Sequence, residues 1–243
     1  WWRYFDWHYI GFEEYSSPSL ADFDNDSVLE IFVASGESYL NVLDGANKTK
    51  IWVTYVGDGI SMDASPVLGD IDNDGDLDVI VTTYYWGITR AYDVSHKTLL
   101  WSYKLSSTTN IRATPALGDV NNDGILDVVV VTYYYTYCVY VLNGSNGSRL
   151  WLRTGTGQVI SSPALGDIDG DGKLEIIFGS NNHNVYAFNG EDGSQLWVLS
   201  TNGSVTASPA IGDLNQDGRL EIVIGSNDGN LYVLNGTNGD IIW

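Results

Sequence analysis

Ser161–Ser180 reads SSPALGDIDGDGKLEIIFGS. A short apolar stretch ends in Gly-Asp and opens onto an acidic loop, D-x-D-x-D-G-x-x-E. The last acid of that loop begins a second apolar run. Variants stand at four other places: ADFDNDSVLEIFVAS from Ala21, GDIDNDGDLDVIVTT from Gly69, GDVNNDGILDVVVVT from Gly118 and GDLNQDGRLEIVIGS from Gly212. The first acids, Asp22, Asp70, Asp119, Asp167 and Asp213, are spaced by 48, 49, 48 and 46 residues. A period of this length means one domain built from five copies of one unit, approximately residues 2–51, 52–100, 101–150, 151–196 and 197–243.

Within the fourth unit the order is clear. SSPALGD runs into the loop; Leu174–Gly179 (LEIIFG) comes next; the turn SNNHN leads to Val185–Phe188 (VYAF); the turn NGEDG leads to Gln195–Leu199 (QLWVL). The runs are short, rich in Val, Ile, Tyr and Trp, and bounded by Asx-Gly pairs, which is strand and hairpin chemistry. Asp44-Gly45, Asn143-Gly144, Asn189-Gly190 and Asn235-Gly236 mark the same turn in four units, and Asp93-Val94 breaks the rule in the second. Trp52, Trp101, Trp151, Trp197 and Trp243 mark the fourth strand. No segment sustains a 3.6-residue period, so helix should be negligible.

Four antiparallel strands per repeat predict an all-β, five-bladed β-propeller, in which radial packing buries both faces of each sheet. An open β-solenoid is the runner-up. Trp2 is equivalent to Trp52, so the chain starts and stops at the same point of the repeat. Trp1–Tyr9 could then extend the outer strand of the last blade beside Asp240–Trp243. It could instead insert into a neighbouring molecule, or a longer parent could have been trimmed at repeat boundaries. The chain begins at Trp1 without a leader and reads as a mature or trimmed form.

The loops have the chemistry of a calcium cage, six to eight oxygens on a tight turn. The ligand sets are Asp22, Asp24, Asp26 and Glu30; Asp70, Asp72, Asp74 and Asp78; Asp119, Asn121, Asp123 and Asp127; Asp167, Asp169, Asp171 and Glu175; and Asp213, Asn215, Asp217 and Glu221. Gly at position six permits the sharp turn. Ser27 replaces it in the first unit, which makes that site the weakest, and the two Asn substitutions lower the charge of the third and fifth. Up to five calcium ions are expected. An EF-hand is excluded, because its closing Glu stands at position twelve.

Net charge is −20, with 31 acidic against 11 basic residues, and more than half of the acid lies at these ligand positions. Such a chain is no nucleic-acid binder. The single Cys138, in an apolar run, excludes a disulfide framework and reads as a buried thiol. No apolar stretch is long enough to span a membrane. Sequons at Asn47, Asn143, Asn146, Asn202 and Asn235 fit a glycoprotein at the cell surface or outside the cell, whereas the one at Asn25 lies inside an acidic loop.

The pattern P-x-L-G-D-I-D-x-D-G-x-L-[DE]-[IV]-[IV] resembles the FG-GAP/VCBS repeat family, found in integrin α-subunit propellers and many microbial surface proteins. The resemblance covers essentially the whole chain. It implies a propeller with calcium between strands one and two of each blade. Many relatives have seven blades, so five repeats is a departure. Segments such as LYVLNGTNGDIIW are also similar to quinoprotein-type propeller repeats, a likeness of fold that says little about a quinone.

Function is expected where the repeats differ. Between strands two and three the fourth and fifth units carry polar turns, but the second has TTYYWGI and the third TYYYTYC. Tyr84, Tyr85, Trp86, Tyr133, Tyr134, Tyr135 and Tyr137 would cluster on neighbouring blades, on the face opposite the acidic loops. There they suit a carbohydrate or a protein partner, or else simply pack between blades. His8, His96 and His183 occupy unrelated positions, no G-x-S-x-G occurs, and Cys138 has no evident His partner. The expectation is a non-catalytic, extracellular adhesion or binding module. The alternatives are a structural subunit of a filament or surface layer, and a calcium-dependent polysaccharide lyase using Arg90 or Arg112.

Overall fold

A computed structural model describes residues 16–57, 61–105, 109–133 and 138–243. Among these the chain forms nineteen strands and no helix. The first sheet holds β1 (Ser19–Ala21), β2 (Glu30–Ala34), β3 (Tyr39–Leu43) and β4 (Lys50–Tyr55), paired antiparallel in that order. The second repeats it with β5 (Val67–Gly69), β6 (Asp78–Thr82), β7 (Ile88–Asp93) and β8 (Thr98–Lys104). The third has β9 (Ala116–Gly118), β10 (Asp127–Val131), β11 (Cys138–Leu142) and β12 (Arg149–Thr154). In the fourth, β13 (Ala164–Gly166), β14 (Glu175–Gly179), β15 (Asn184–Asn189) and β16 (Gln195–Ser200) keep the same order. The fifth comprises β17 (Ala210–Gly212), β18 (Glu221–Gly225) and β19 (Leu231–Asn235). Ile241–Trp243 lies along β19, through the bridge Leu234–Ile241 and backbone bonds between Val233 and Ile242 and Trp243. The chain's own last residues therefore begin the outer strand of the fifth sheet; Trp1–Tyr9 lies outside the described residues.

Each strand order follows from short turns that permit only antiparallel neighbours. In all four complete sheets the pairing of the third and fourth strands slips by one residue, at Val42/Leu43, Ala91/Tyr92, Val141/Leu142 and Ala187/Phe188. The bulge falls one residue before the tryptophan, and such an inserted residue bends the strand and re-aims the side chains beyond it.

The first strands of successive sheets lie side by side in the order β1, β5, β9, β13, β17, an arrangement that fits five successive blades. A relay of hydrogen bonds runs along the same line. Ser17 N–H donates to Ser65 Oγ at 2.9 Å, Ser65 to Thr114 Oγ1, Thr114 to Ser162 Oγ and Ser162 to Ser208 Oγ.

Between blades lie four apolar cores, one at each junction. Alternate side chains of one strand serve opposite junctions, as a period of two requires. In β10, Val128 and Val130 face blade two, whereas Val129 and Val131 face blade four. This explains why the central strands β6, β10 and β14 are buried along their whole length. In blades one and five only alternate residues are fully covered; Ile31, Val33 and Val223 are half-exposed.

Candidate functional site: acidic loops and an aromatic cluster

All five acidic loops fold alike because their side chains hold their own backbone. The first Asp accepts from the position-six N–H in every copy: Ser27, Gly75, Gly124, Gly172 and Gly218 donate to Asp22, Asp70, Asp119, Asp167 and Asp213 at 2.8–3.1 Å. The position-nine acid accepts from the position-two N–H: Phe23 to Glu30, Ile71 to Asp78, Val120 to Asp127, Ile168 to Glu175 and Leu214 to Glu221. The position-seven N–H donates to the position-five carboxylate, as Lys173 does to Asp171 at 2.9 Å.

Two residues per loop are left-handed, not one. Position six has φ of 70° at Ser27 and 85–92° at the four glycines. Position four is also left-handed at Asn25, Asn73, Asn122, Gly170 and Gln216.

Three carboxylates converge in three loops, with one ligand atom of each within 4.8 Å of the others: Asp22, Asp24 and Glu30; Asp70, Asp72 and Asp78; Asp167, Asp169 and Glu175. These are positions one, three and nine, and the position-five carboxylates Asp26, Asp74 and Asp171 are outside those groups. In blades three and five the position-three side chain is an amide. Asn121 Nδ2 donates to Asp123 at 3.0 Å, and Asn215 Nδ2 to Asp217 at 3.1 Å and Glu221 at 3.3 Å. A fourth group, Asp76, Asp93 and His96, belongs to blade two alone. There Asp93 already accepts from the His96 backbone and meets its Nδ1 at 2.6 Å, a hydrogen bond that holds the imidazole pKa above its ordinary value.

The closing acids are buried: Glu30, Asp78, Asp127, Glu175 and Glu221 are at most 4% exposed. Burial pushes Asp78, Asp127 and Glu175 up to about 7, and the neighbouring loop carboxylates push the same way. Glu30 and Asp72 are raised as well, again mainly by burial. Asp127 Oδ1 and Asp72 Oδ1 are buried and without a hydrogen-bond partner. A buried carboxylate oxygen amid like charges calls for a compensating positive partner, and these acidic groups could hold metal ions.

At the opposite end of blades two and three, the segment that enters blade three binds the aromatic loop of blade two. Ile111 N–H donates to Tyr84 O at 3.0 Å, and Tyr133 N–H donates to Asn110 O at 2.8 Å. Arg112 is thereby set between two rings, its guanidinium 5.1 Å from the Tyr84 centroid and 4.9 Å from that of Tyr133. Its Nε is 3.4 Å from buried Asp63. Tyr85 packs edge-on against Tyr84 and is 40% exposed. Lys104 Nζ is 4.7 Å from the Trp86 ring. Trp86 is left-handed, with φ of 68°, and Gly87 comes next at 54°, because the loop must reverse over Thr109. Tyr84, Tyr85, Trp86 and Tyr133 thus share one end of the molecule, whereas Tyr134, Tyr135 and Tyr137 lie outside the described residues. Arg112 stood out in the sequence only as a basic residue. That it joins the two aromatic loops depends on a contact between blades.

The sequon asparagines differ in setting. Asn47, Asn146 and Asn202 are exposed and Asn235 is half-buried. Asn143 is buried in its turn, where its Oδ1 accepts from Ser145 Oγ. His183 occupies a turn with φ of 71°, and the Cys138 side chain lies outside the described atoms.

A family model described as FG-GAP-like repeat matches residues 15–81, 119–178 and 167–224. The chain belongs to this family. No curated protein matches it in sequence. Among solved structures, the Vibrio cholerae biofilm matrix protein Bap1 superposes with a TM-score of 0.75 at 20% identity, over all of this chain and 41% of its own. Quinohemoprotein alcohol dehydrogenase from Comamonas testosteroni gives 0.70 at 14%, over 95% and 42%. A Bacillus licheniformis rhamnogalacturonan lyase gives 0.68 at 20%, over 94% and 50%. The chain spans half or less of these proteins. At such identities the likeness is one of fold: propeller-type, all-β, with five sheets that fit five blades.

Proposed function

We propose that this chain is a five-bladed, calcium-stabilised, non-catalytic binding module of the cell surface or extracellular space. Its ligand is a carbohydrate or a protein, docked on the aromatic end of blades two and three. The observation that carries this is Arg112 held between the rings of Tyr84 and Tyr133, with Tyr85 exposed beside them. A guanidinium held by both rings and by Asp63 ties the two aromatic loops together, so the exposed Tyr85 ring beside them meets a ligand at little further ordering cost. Calcium fits the loops of blades one, two and four by donor type, with carboxylates at positions one, three and nine and an orphaned buried oxygen at Asp72; blade three, with Asn121 at position three, offers the orphaned Asp127 Oδ1. When bound it would supply positive charge where the acids repel each other, and Asp78, Asp127 and Glu175 would be held ionised.

Affinity electrophoresis through neutral and acidic polysaccharides tests the carbohydrate form of this reading, and cross-linking to surface proteins the protein form. Tyr85→Ala and Trp86→Ala together should abolish retardation or cross-linking while leaving the melting temperature in place. Binding unchanged by both substitutions would remove the site from this end. Release of unsaturated, ultraviolet-absorbing sugars from acidic polysaccharide would instead identify a lyase.

A further inference from the structure

The charges of this chain are divided between the two ends of its blades. In a four-stranded meander the acidic loops and the turns after the third strands fall at one end. The turns after the second strands and the links between blades fall at the other. The loop end holds nearly all of the acid, since Asp44, Asp93, Glu191, Asp192 and Asp240 join the loop carboxylates there. At the aromatic end the described acids are Glu37 in blade one, Asp228 in blade five and Asp63; Asp58 lies outside the described residues. Asp63 is buried and already engaged, accepting from Ser61 Oγ and pairing with Arg112.

Blades two and three bring cations to this same end. Lys104 ends β8 opposite Ile88, beside the aromatic loop. It is exposed, and among the described residues its ammonium meets the Trp86 ring and pairs with no carboxylate. Arg112 sits between Tyr84 and Tyr133, and Arg90 brings its guanidinium against Gly57, where the chain leaves blade one. A protein of net charge −20 thus carries, at one end of two blades, aromatic rings bracketed by basic side chains. The blade-two loop is also longer than its equivalents. Ser35, Ser180 and Ser226 close their turns on Tyr39, Asn184 and Asn230, whereas Thr83 closes on Ile88, one residue further along. Left-handed backbone at Trp86 and Gly87 accommodates the extra residue, and Tyr85 beside them is 40% exposed.

On the reading that this end is the binding site, we propose that its ligand is an acidic polysaccharide, a chain of sugar rings that bear carboxylates. Such a ring has a flat C–H face, which suits the exposed Tyr85, and an anion, which suits Lys104. An acidic peptide shares the charge but not the shape. The exposed aliphatic side chains of blades two and three, Leu99 and Leu150, stand near the start of β8 and β12, at the loop end. Among the described residues the aromatic end therefore offers rings and cations rather than seats for aliphatic anchors. Like charge at the loop end turns a polyanion toward this one.

Interferometry on immobilised polygalacturonate, alginate and methyl-esterified polygalacturonate, in calcium-containing buffer, tests this. At least one of the two free acids should bind, the ester should bind at least about tenfold more weakly, and added salt should weaken the free acid alone. Lys104→Gln should weaken the free acid by about tenfold, and Lys104→Arg should restore most of it. Both are surface changes, and melting curves confirm that the fold is kept. Equal binding of acid and ester, lost in Tyr85→Ala, overturns the proposal while keeping this end as the site. Acid-selective binding that Lys104→Gln leaves intact, as calcium bridges to the acidic loops would give, also overturns it. If Tyr85→Ala together with Trp86→Ala leaves that binding intact as well, the reading of this end falls with it. Tighter binding to polyglutamate would put an acidic peptide in the ligand's place, and no binding to either free acid overturns the proposal outright.

Discussion

Ser27 shows how much one residue decides in a loop of this kind. With φ of 70° it holds the position that glycine fills in the other four loops, and its N–H still reaches Asp22 at 3.0 Å. A side chain in the left-handed region costs about 1 kcal/mol. Ser27→Gly should therefore raise stability by about that amount, read as a shift of the denaturant midpoint with no change in slope. No shift would mean that the Ser27 hydroxyl repays the strain. Position four carries the same backbone demand but was not legible from sequence. Asn25, Asn73, Asn122, Gly170 and Gln216 look like assorted turn filler until their shared positive φ is seen. Asparagine and glycine tolerate that conformation, so the substitutions that hide the pattern are the ones the geometry allows.

At the scale of the element, junctions and loops obey different rules. A junction is apolar packing locked by one buried hydrogen bond from the tryptophan. Trp151→Phe keeps an aromatic ring in place but leaves Gly190 O without its donor and a small void beside it, and should cost at least about 1–3 kcal/mol. Equal thermal stability for the variant would show that packing alone closes the blades. A loop is a set of acids kept together against their charge. Asp127 is buried and its carboxyl is pushed up to about 7, so without metal it is an uncomfortable anion. Asp127→Asn should stabilise the chain in chelator at pH 8 yet weaken calcium binding on the order of tenfold, since affinity follows ligand charge. Titration calorimetry and melting in chelator check the two signs separately. The loops and strands were legible because their pattern is local: five acidic turns, four of them with glycine at position six, each leading into a short apolar run. The aromatic end was legible only in part. Tyr84 and Trp86 stood out by departing from the repeat, but Arg112, Asp63 and Lys104 join them through contacts between segments far apart in the chain. The Ser/Thr relay was hidden for the same reason, since a hydroxyl before proline has no visible partner until the next blade is placed beside it.

For the whole molecule, charge decides the balance. The chain carries a net charge of −20, and its five acidic loops lie at the same end of successive blades, each anchored by a buried acid. Unfolded, Asp78, Asp127 and Glu175 release their protons near the ordinary carboxylate values of 3.8 and 4.5; folded without metal, they hold them up to about 7. The metal-free folded state therefore binds more protons than the unfolded state between about pH 4 and 7. Its stability is greatest below that window and falls as pH rises through it. Cation binding opposes this trend, because it favours the ionised form and relieves repulsion among the remaining acids. In saturating calcium the melting temperature should then change little from pH 5 to 8, whereas in chelator it should fall steadily over the same range. The gap between the two curves should be widest at pH 8. With each of several sites holding its ion at about a hundred times its dissociation constant, that gap should reach about 10–20 °C. Scanning calorimetry at both conditions supplies the curves. Superimposed curves at pH 8 would mean that the loops are solvated turns, and that the blades are held by their apolar junctions alone.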